Sequence, residues 1–255
     1  MKTPQTPSVD VMLRSLRLPS MLAAYRRLAD QAAQEHWSYE QYLQTLAEEE
    51  SEARLKRRIE RLLKRSNLPD GKNLATLKRE KLPRKVVMRL PGLLEGGFAH
   101  RAENILIFGL PGRGKTHLAA AVGHELVTAF GMPVLFTSTF SLVQKLLKAK
   151  AELKIDEMFA KLDKFEVVIL DDIGYVQQSR EEMEVLFTFL AERYERKSLI
   201  ITSNLVFSEW DQIFKNPMTT AAAVDRLVHH SVILEMTGER SIRHEIHLEE
   251  SGKSA

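Results

Sequence analysis

The feature that most narrows the possible folds is the run Gly109-Leu110-Pro111-Gly112-Arg113-Gly114-Lys115-Thr116, which follows the apolar stretch 105–108 and opens a helical pattern reaching 130. It satisfies G-x-x-x-x-G-K-[ST] in every required position. Glycines let the backbone curl so that successive N–H groups face phosphate oxygens, and the helix N-terminus adds partial positive charge. Lys115 is placed to bridge the outer phosphates and Thr116 to offer its hydroxyl to Mg²⁺. The nucleotide-binding residues expected from this run are Gly109, Leu110, Pro111, Gly112, Arg113, Gly114, Lys115, Thr116 and His117.

Such a loop belongs between a strand and a helix, and the surrounding pattern agrees. Short β-rich runs fall at 105–108, 134–137, 167–170, 199–202 and 232–234. Helical patterns separate them at 115–130, 140–150, 156–164, 180–196, 208–214 and 220–229. Strands alternating with helices of that length imply an α/β sandwich around a mostly parallel sheet.

Three further motifs follow in order. Val167-Val168-Ile169-Leu170-Asp171-Asp172 ends a buried strand in two acids: Asp171 is expected at the magnesium, and Asp172 where an attacking water would be oriented. Two acids in a solvated turn is the alternative for Asp172. Thr202-Ser203-Asn204 ends the next strand, with Asn204 the best placed to sense the γ-phosphate. Arg226, in Asp225-Arg226-Leu227, either reaches the nucleotide of a neighbouring subunit or pairs with Asp225 on a helix surface. Arg240 and Arg243 are weaker candidates for that role, and His244 and His247 make a poor metal pair because a strand would turn them to opposite faces.

Charge divides the chain. Residues 1–100 hold 19 Lys+Arg against 12 Asp+Glu, and the remainder 18 against 22. The excess concentrates in 51–92, with 14 basic residues and 4 acidic, which points to a polyanion such as nucleic acid. Apolar spacing predicts one helix starting at a Ser20 cap and another from a Ser38/Gln41 capping box to the break at Asn67-Leu68-Pro69-Asp70-Gly71. Arg54, Arg57, Arg58, Arg61, Lys64 and Arg65 lie on the second helix and are the candidate DNA contacts there. Lys145 and Lys148, in 140–164, could add a phosphate-facing stripe, or form a solvated face. Trp37 beside His36 suits packing at a helix start better than stacking on a base. No apolar run exceeds five residues, the start is polar and proline-broken, and there is no cysteine. The expectation is a cytoplasmic chain without membrane contact, disulfides or thiolate metal sites.

The motif order resembles the AAA+ branch that contains the DnaA replication initiators, the DnaC helicase loaders and the IstB transposition helpers. Leu16-Arg17-Leu18, Ser38-Tyr39-Glu40-Gln41-Tyr42-Leu43, Glu48-Glu49-Glu50 and the arginine run to Leu68-Pro69 are similar to the helical N-terminal domain of IstB proteins. Arg113, in place of a small residue, and Lys78-Arg79-Glu80-Lys81, in place of an aromatic-acidic linker, depart from that pattern. The resemblance implies a P-loop NTPase (AAA+) sheet sandwich at 103–248 and a helical DNA-binding domain at 1–70; the residues themselves lead us to expect a basic linker at 71–102, a flexible tail at 249–255 and no C-terminal lid. The resemblance further implies ATP and Mg²⁺ as cofactors, ATP hydrolysis, and double-stranded DNA and a transposase as partners. A homo-oligomeric ring or helical filament would form with ATP, the helices of 140–164 engaging DNA. A replicative helicase loader is the alternative, and a P-loop enzyme phosphorylating a small molecule lacks an evident acceptor site.

Overall fold

The computed structural model describes residues 8–174, 179–210, 213 and 217–236. The chain divides into two compact units, 1–61 and 62–255.

The first unit is helical: α1 (Val9–Ser15), α2 (Pro19–Gln34) and most of α3 (Tyr39–Ser66). Ala24, Leu28 and Leu46 are its buried apolar residues, with Met21, Tyr25, Trp37 and Tyr42 packed against them. Trp37 is therefore a packing residue. The Ser38/Gln41 capping box forms in both directions, at 2.9 and 3.1 Å. The Ser20 cap does not. Helix α2 begins two residues before Met21, at Pro19, and its cap comes from far along the chain: the Ser20 and Met21 N–H groups donate to Glu50 Oε2 at 2.7 and 3.2 Å. A carboxylate accepts the orphan N–H groups of a first turn and answers its partial positive charge, whichever helix supplies it.

In the second unit β1 (Asn104–Phe108), β2 (Val134–Ser138), β3 (Val167–Asp171), β4 (Ser198–Ser203) and β5 (Ser231–Glu235) form one sheet of order β2-β3-β4-β1-β5. All its pairings are parallel. The helices between them are α6 (Lys115–Phe130), α7 (Thr139–Ala151), α8 (Ile155–Leu162), α9 (Arg180–Arg193) and α10 (Pro217–Val228). Strand residues alternate between faces. Leu106, Phe108, Val168, Leu170, Leu199 and Ile201 join the buried cluster that includes residues of α7, α9 and α10. Ile169 faces the other way, onto α6, where Gly123 comes so close that an added Cβ would lie 2.7 Å from Ile169 Cδ1. The two helices expected between the second and third strands are α7 and α8.

Much of the stretch expected as a basic linker, 71–102, is helical in the structure: a 3₁₀ turn (Arg79–Lys81), α4 (Arg84–Leu94) and α5 (Gly97–His100) lie in it. Val86, Leu90 and Leu93, spaced by four and three residues, are buried while Arg84, Lys85 and Arg89 stay exposed. Pro83 is the N-cap residue of α4. Pro91 lies inside it, and the Glu95 N–H still reaches the Pro91 carbonyl at 3.2 Å. Arg89 Nη1 donates to the Ile233 carbonyl at 2.8 Å and Ser198 Oγ to the Phe98 carbonyl at 3.3 Å, fastening this stretch to β5 and β4. Among the described residues no helix is long and apolar enough to cross a membrane.

Candidate nucleotide site

Strand order explains the site. Because β4 lies between β1 and β3, a residue at its C-terminal tip stands between the loop after β1 and the acids after β3. Lys115 is the first residue of α6, and Gly112 and Gly114 before it take left-handed conformations (φ 80° and 85°) that side chains resist. Lys115 is 7% exposed, and its ammonium donates to the carbonyls of Gly109 (2.6 Å) and Leu110 (3.0 Å) and to Asn204 Oδ1 (2.5 Å). Asn204 Nδ2 in turn donates to Asp172 Oδ1 at 3.0 Å. A hydrogen-bonded chain Lys115–Asn204–Asp172 thus spans three strand tips.

A second set holds Asp171. Thr202 Oγ1 donates to Asp171 Oδ1 at 2.7 Å and accepts from the Asp172 N–H at 2.8 Å. Thr139 Oγ1 donates to the Asp171 carbonyl at 3.2 Å. These contacts hold Asp172 in the left-handed region (φ 61°), which aspartate tolerates better than most residues. Thr202 was legible as one of three polar residues ending a strand; Thr139 carried no signal, since its role depends on β2 pairing with β3.

The remaining nucleotide candidates are distributed as follows. Leu110 and Pro111 are exposed at the loop crest; Gly112, Arg113, Gly114 and Thr116 are half-buried, with Thr116 beside Lys115. His117 faces the segment before the sheet, its Nε2 lying 3.0 Å from Thr76 Oγ1 and 3.3 Å from the Asn73 carbonyl. Burial lowers its pKa, with Lys72 acting in the same sense and the Asn73 carbonyl against. Arg226 stands apart from the Lys115–Asn204–Asp172 chain: its guanidinium lies over the Phe187 ring of α9, 4.8 Å from the centroid. Its Nη1 is buried without a hydrogen-bond acceptor among the described residues. Arg240, Arg243, His244 and His247 lie outside the described residues.

The candidate DNA contacts Arg54, Arg57, Arg58, Arg61, Lys64 and Arg65 are all exposed on α3. Arg54 and Arg57 also hold the fold. Arg54 Nε and Arg57 Nη2 donate to Glu50 Oε1 at 2.9 and 3.1 Å, and Arg54 Nη2 donates to the Arg17 carbonyl at 2.9 Å. Lys145 and Lys148 are exposed on α7, Lys148 Nζ lying 3.9 Å from a Glu152 oxygen. Lys150 is paired with Glu184 at 2.8 Å.

A parallel sheet in this order, with a phosphate-binding loop after β1, paired acids after β3 and a polar tip on β4 between them, defines an AAA+ P-loop protein. The profile of the IstB-like ATP binding protein family matches residues 11–249, and the chain belongs to that family. An insertion-sequence ATP-binding protein of Sinorhizobium fredii (strain NBRC 101917 / NGR234) is 44% identical over 91% of this chain and 78% of its own length. Among solved structures, AMPPCP-bound DnaA from Aquifex aeolicus is similar at TM-score 0.57 and 20% identity over 73% of this chain, which spans 56% of that protein's length. The DnaC helicase loader is similar at TM-score 0.54 and 18% identity, over 69% of this chain and 99% of its own. At such identities the likeness concerns the fold.

Proposed function

We propose that this ATP-binding protein hydrolyses ATP with Mg²⁺, assembles on duplex DNA in the ATP state and stimulates the transposase of an insertion sequence. The observation that carries the hydrolytic part is the Lys115–Asn204–Asp172 chain. Among its contacts Lys115 makes three to neutral oxygens, which phosphate oxygens can replace with stronger, charge-assisted ones. Its transfer to the nucleotide frees Asn204 Oδ1, so Asn204 and the Asp172 carboxylate it holds both register an occupied loop. Asp172 is then the group that orients water. The donors fit a hard cation: Thr116 and Asp171 offer the hydroxyl and carboxylate oxygens that magnesium prefers, and Mg²⁺ held there would neutralise phosphate charge.

Arg226 is the residue proposed to act in trans, leaving Phe187 to meet the nucleotide of an adjoining subunit. Arg58, Arg61, Lys64 and Arg65 on α3, joined by Lys145 and Lys148, supply the phosphate contacts to DNA, with Arg54 and Arg57 serving DNA and Glu50 together. The relatives' association with insertion sequences supports the transposition reading over the loader reading. The experiment is ATP turnover with duplex DNA for mixtures of Lys115→Ala and Arg226→Ala protein. Each alone is expected to be inactive and the mixture partly active, since intact loops of one meet intact arginines of the other. Absence of rescue in verified assemblies would leave Arg226 as a packing residue.

A further inference from the structure

We propose that Glu195, His229 and His230 form a binding site for a divalent transition-metal ion, zinc first among them, at the end of the sheet away from the P-loop. The three side chains are exposed, and one ligand atom from each can be chosen so that all lie within 4.8 Å of one another. Glu195 follows α9 and leads into β4; His229 and His230 join the end of α10 to the start of β5. All are at the N-terminal ends of the strands, whereas Lys115, Asp171 and Asn204 are at the C-terminal ends. Five strand residues span about 17 Å, so a metal here is separate from the nucleotide's magnesium.

The geometry is near a metal's requirement. With bonds near 2.1 Å, ligand atoms of a tetrahedral zinc are about 3.4 Å apart. His230 Nε2 and a Glu195 oxygen are already 3.6 Å apart. The rings of His229 and His230 lie 4.3 Å apart between centroids, tilted at 57°. Closing the remaining gap needs only rotation of exposed side chains. The backbone beneath is fixed: the Asn104 N–H donates to the His230 carbonyl at 2.7 Å, and the His229 N–H to the Asp225 carbonyl at 3.0 Å. Glu195, just past the end of α9, takes the left-handed conformation (φ 55°) that commonly ends a helix.

An outer contact is present as well. Tyr194 Oη lies 3.2 Å from His229 Nδ1. In the tautomer whose Nδ1–H donates to that oxygen, Nε2 keeps its lone pair for a metal, the arrangement that fixes ligating histidines elsewhere. Two imidazoles and one carboxylate suit zinc, copper or nickel rather than magnesium or calcium, and leave a fourth position for water. The site would bind the end of α10 to the end of α9. Those two helices carry Arg226 and Phe187, so the ion would brace the elements on which that contact rests.

The test uses the tag-free full chain, stripped of metal and titrated with Co²⁺ followed by visible absorption and with Zn²⁺ followed by calorimetry. One equivalent is expected to bind, with a tetrahedral cobalt spectrum and a raised unfolding temperature. His229→Ala and His230→Ala should each weaken binding by about 10-fold or more, Glu195→Gln also, and Tyr194→Phe by less. Far-UV circular dichroism checks that the variants fold. A chain carrying both His244→Ala and His247→Ala should bind as before. Absence of binding, binding unchanged when His229 and His230 are both alanine, or binding lost with His244 and His247 would overturn the proposal.

Discussion

Residues 62–255 enclose two cations, Lys115 and Arg193, and residues 1–61 enclose an anion, Glu50; the two units solvate these charges differently. Arg193 is 3% exposed and donates to the carbonyls of Leu162, Phe165, Glu166 and Ser198 at 3.1 to 3.3 Å. Burial lowers its pKa to about 10, which leaves it charged at neutral pH. It joins the end of α8 to the start of β4 within a large apolar interior. Glu50, equally buried, lies in a unit with three buried apolar residues among those described, and is held by two N–H groups and two arginines. A large core can treat a buried charge as a staple at its margin. In the small helical unit the charge is a principal tie, and the arginines that satisfy it are drawn from the run that a sequence reading assigns wholly to DNA.

Separate probes make this contrast testable, because Trp37 lies in the helical unit and Trp210 is fully buried in the other. The largest effect should come from Lys115→Ala. On the proposed reading it removes the principal protein cation for the phosphates and is expected to weaken ATP binding roughly 100-fold or more, given about 1.5–3 kcal/mol for each hydrogen bond to a charged group. Equilibrium binding of a fluorescent ATP analogue checks it, with both tryptophan transitions near their original places.

How far the site and fold were legible depended on whether the determinants were local. The strands and the P-loop declare themselves in continuous residues, and the observed strand ends fall within a residue of those expected. Asn204 could be named because strand tips in this order collect the chemistry. Its double contact could not, since that rests on β4 lying between β1 and β3. Helix α4 was hidden in a basic stretch with two prolines, Pro83 at its N-cap and Pro91 carried within it. The Glu50 cap of α2 was hidden by the 30 residues that separate Ser20 from Glu50.

Glu50→Ala comes next in expected size. It strips the first turn of α2 of its acceptor and frees Arg54 and Arg57, for a loss of roughly 1–3 kcal/mol after allowing for the solvent exposure of both arginines. In urea unfolding read by single-tryptophan variants, the Trp37 transition should move and the Trp210 transition should not. Acid should act at the same place. Burial pushes the Glu50 pKa up, but the Met21 and Ser20 N–H groups and Arg54 outweigh it and hold the carboxyl below its ordinary value. A depressed folded-state pKa means that this stability is present above the unfolded value and lost as pH falls through the folded one. The acid-induced loss of stability at Trp37 should therefore shrink in Glu50→Ala.

The smallest effect sharpens the division of labour among the arginines. Arg58, Arg61 and Arg65 changed together to alanine should weaken duplex DNA binding and flatten the slope of log K against log salt by up to about three units, at roughly 0.9 for each phosphate contact. Arg54 and Arg57 changed together should flatten it less and cost the helical unit stability instead. An unchanged slope in the first variant, with α3 folded, would move that face to a protein partner and favour the loader reading.

The most direct test of the central claim, that the Lys115–Asn204–Asp172 chain couples nucleotide occupancy to hydrolysis, is ATP turnover by Asp172→Asn measured beside its ATP affinity. Affinity and ATP-dependent DNA assembly should be retained while turnover falls roughly 100-fold, about 2.7 kcal/mol in the barrier. Turnover at the normal rate in a folded, ATP-binding Asp172→Asn chain would contradict the account.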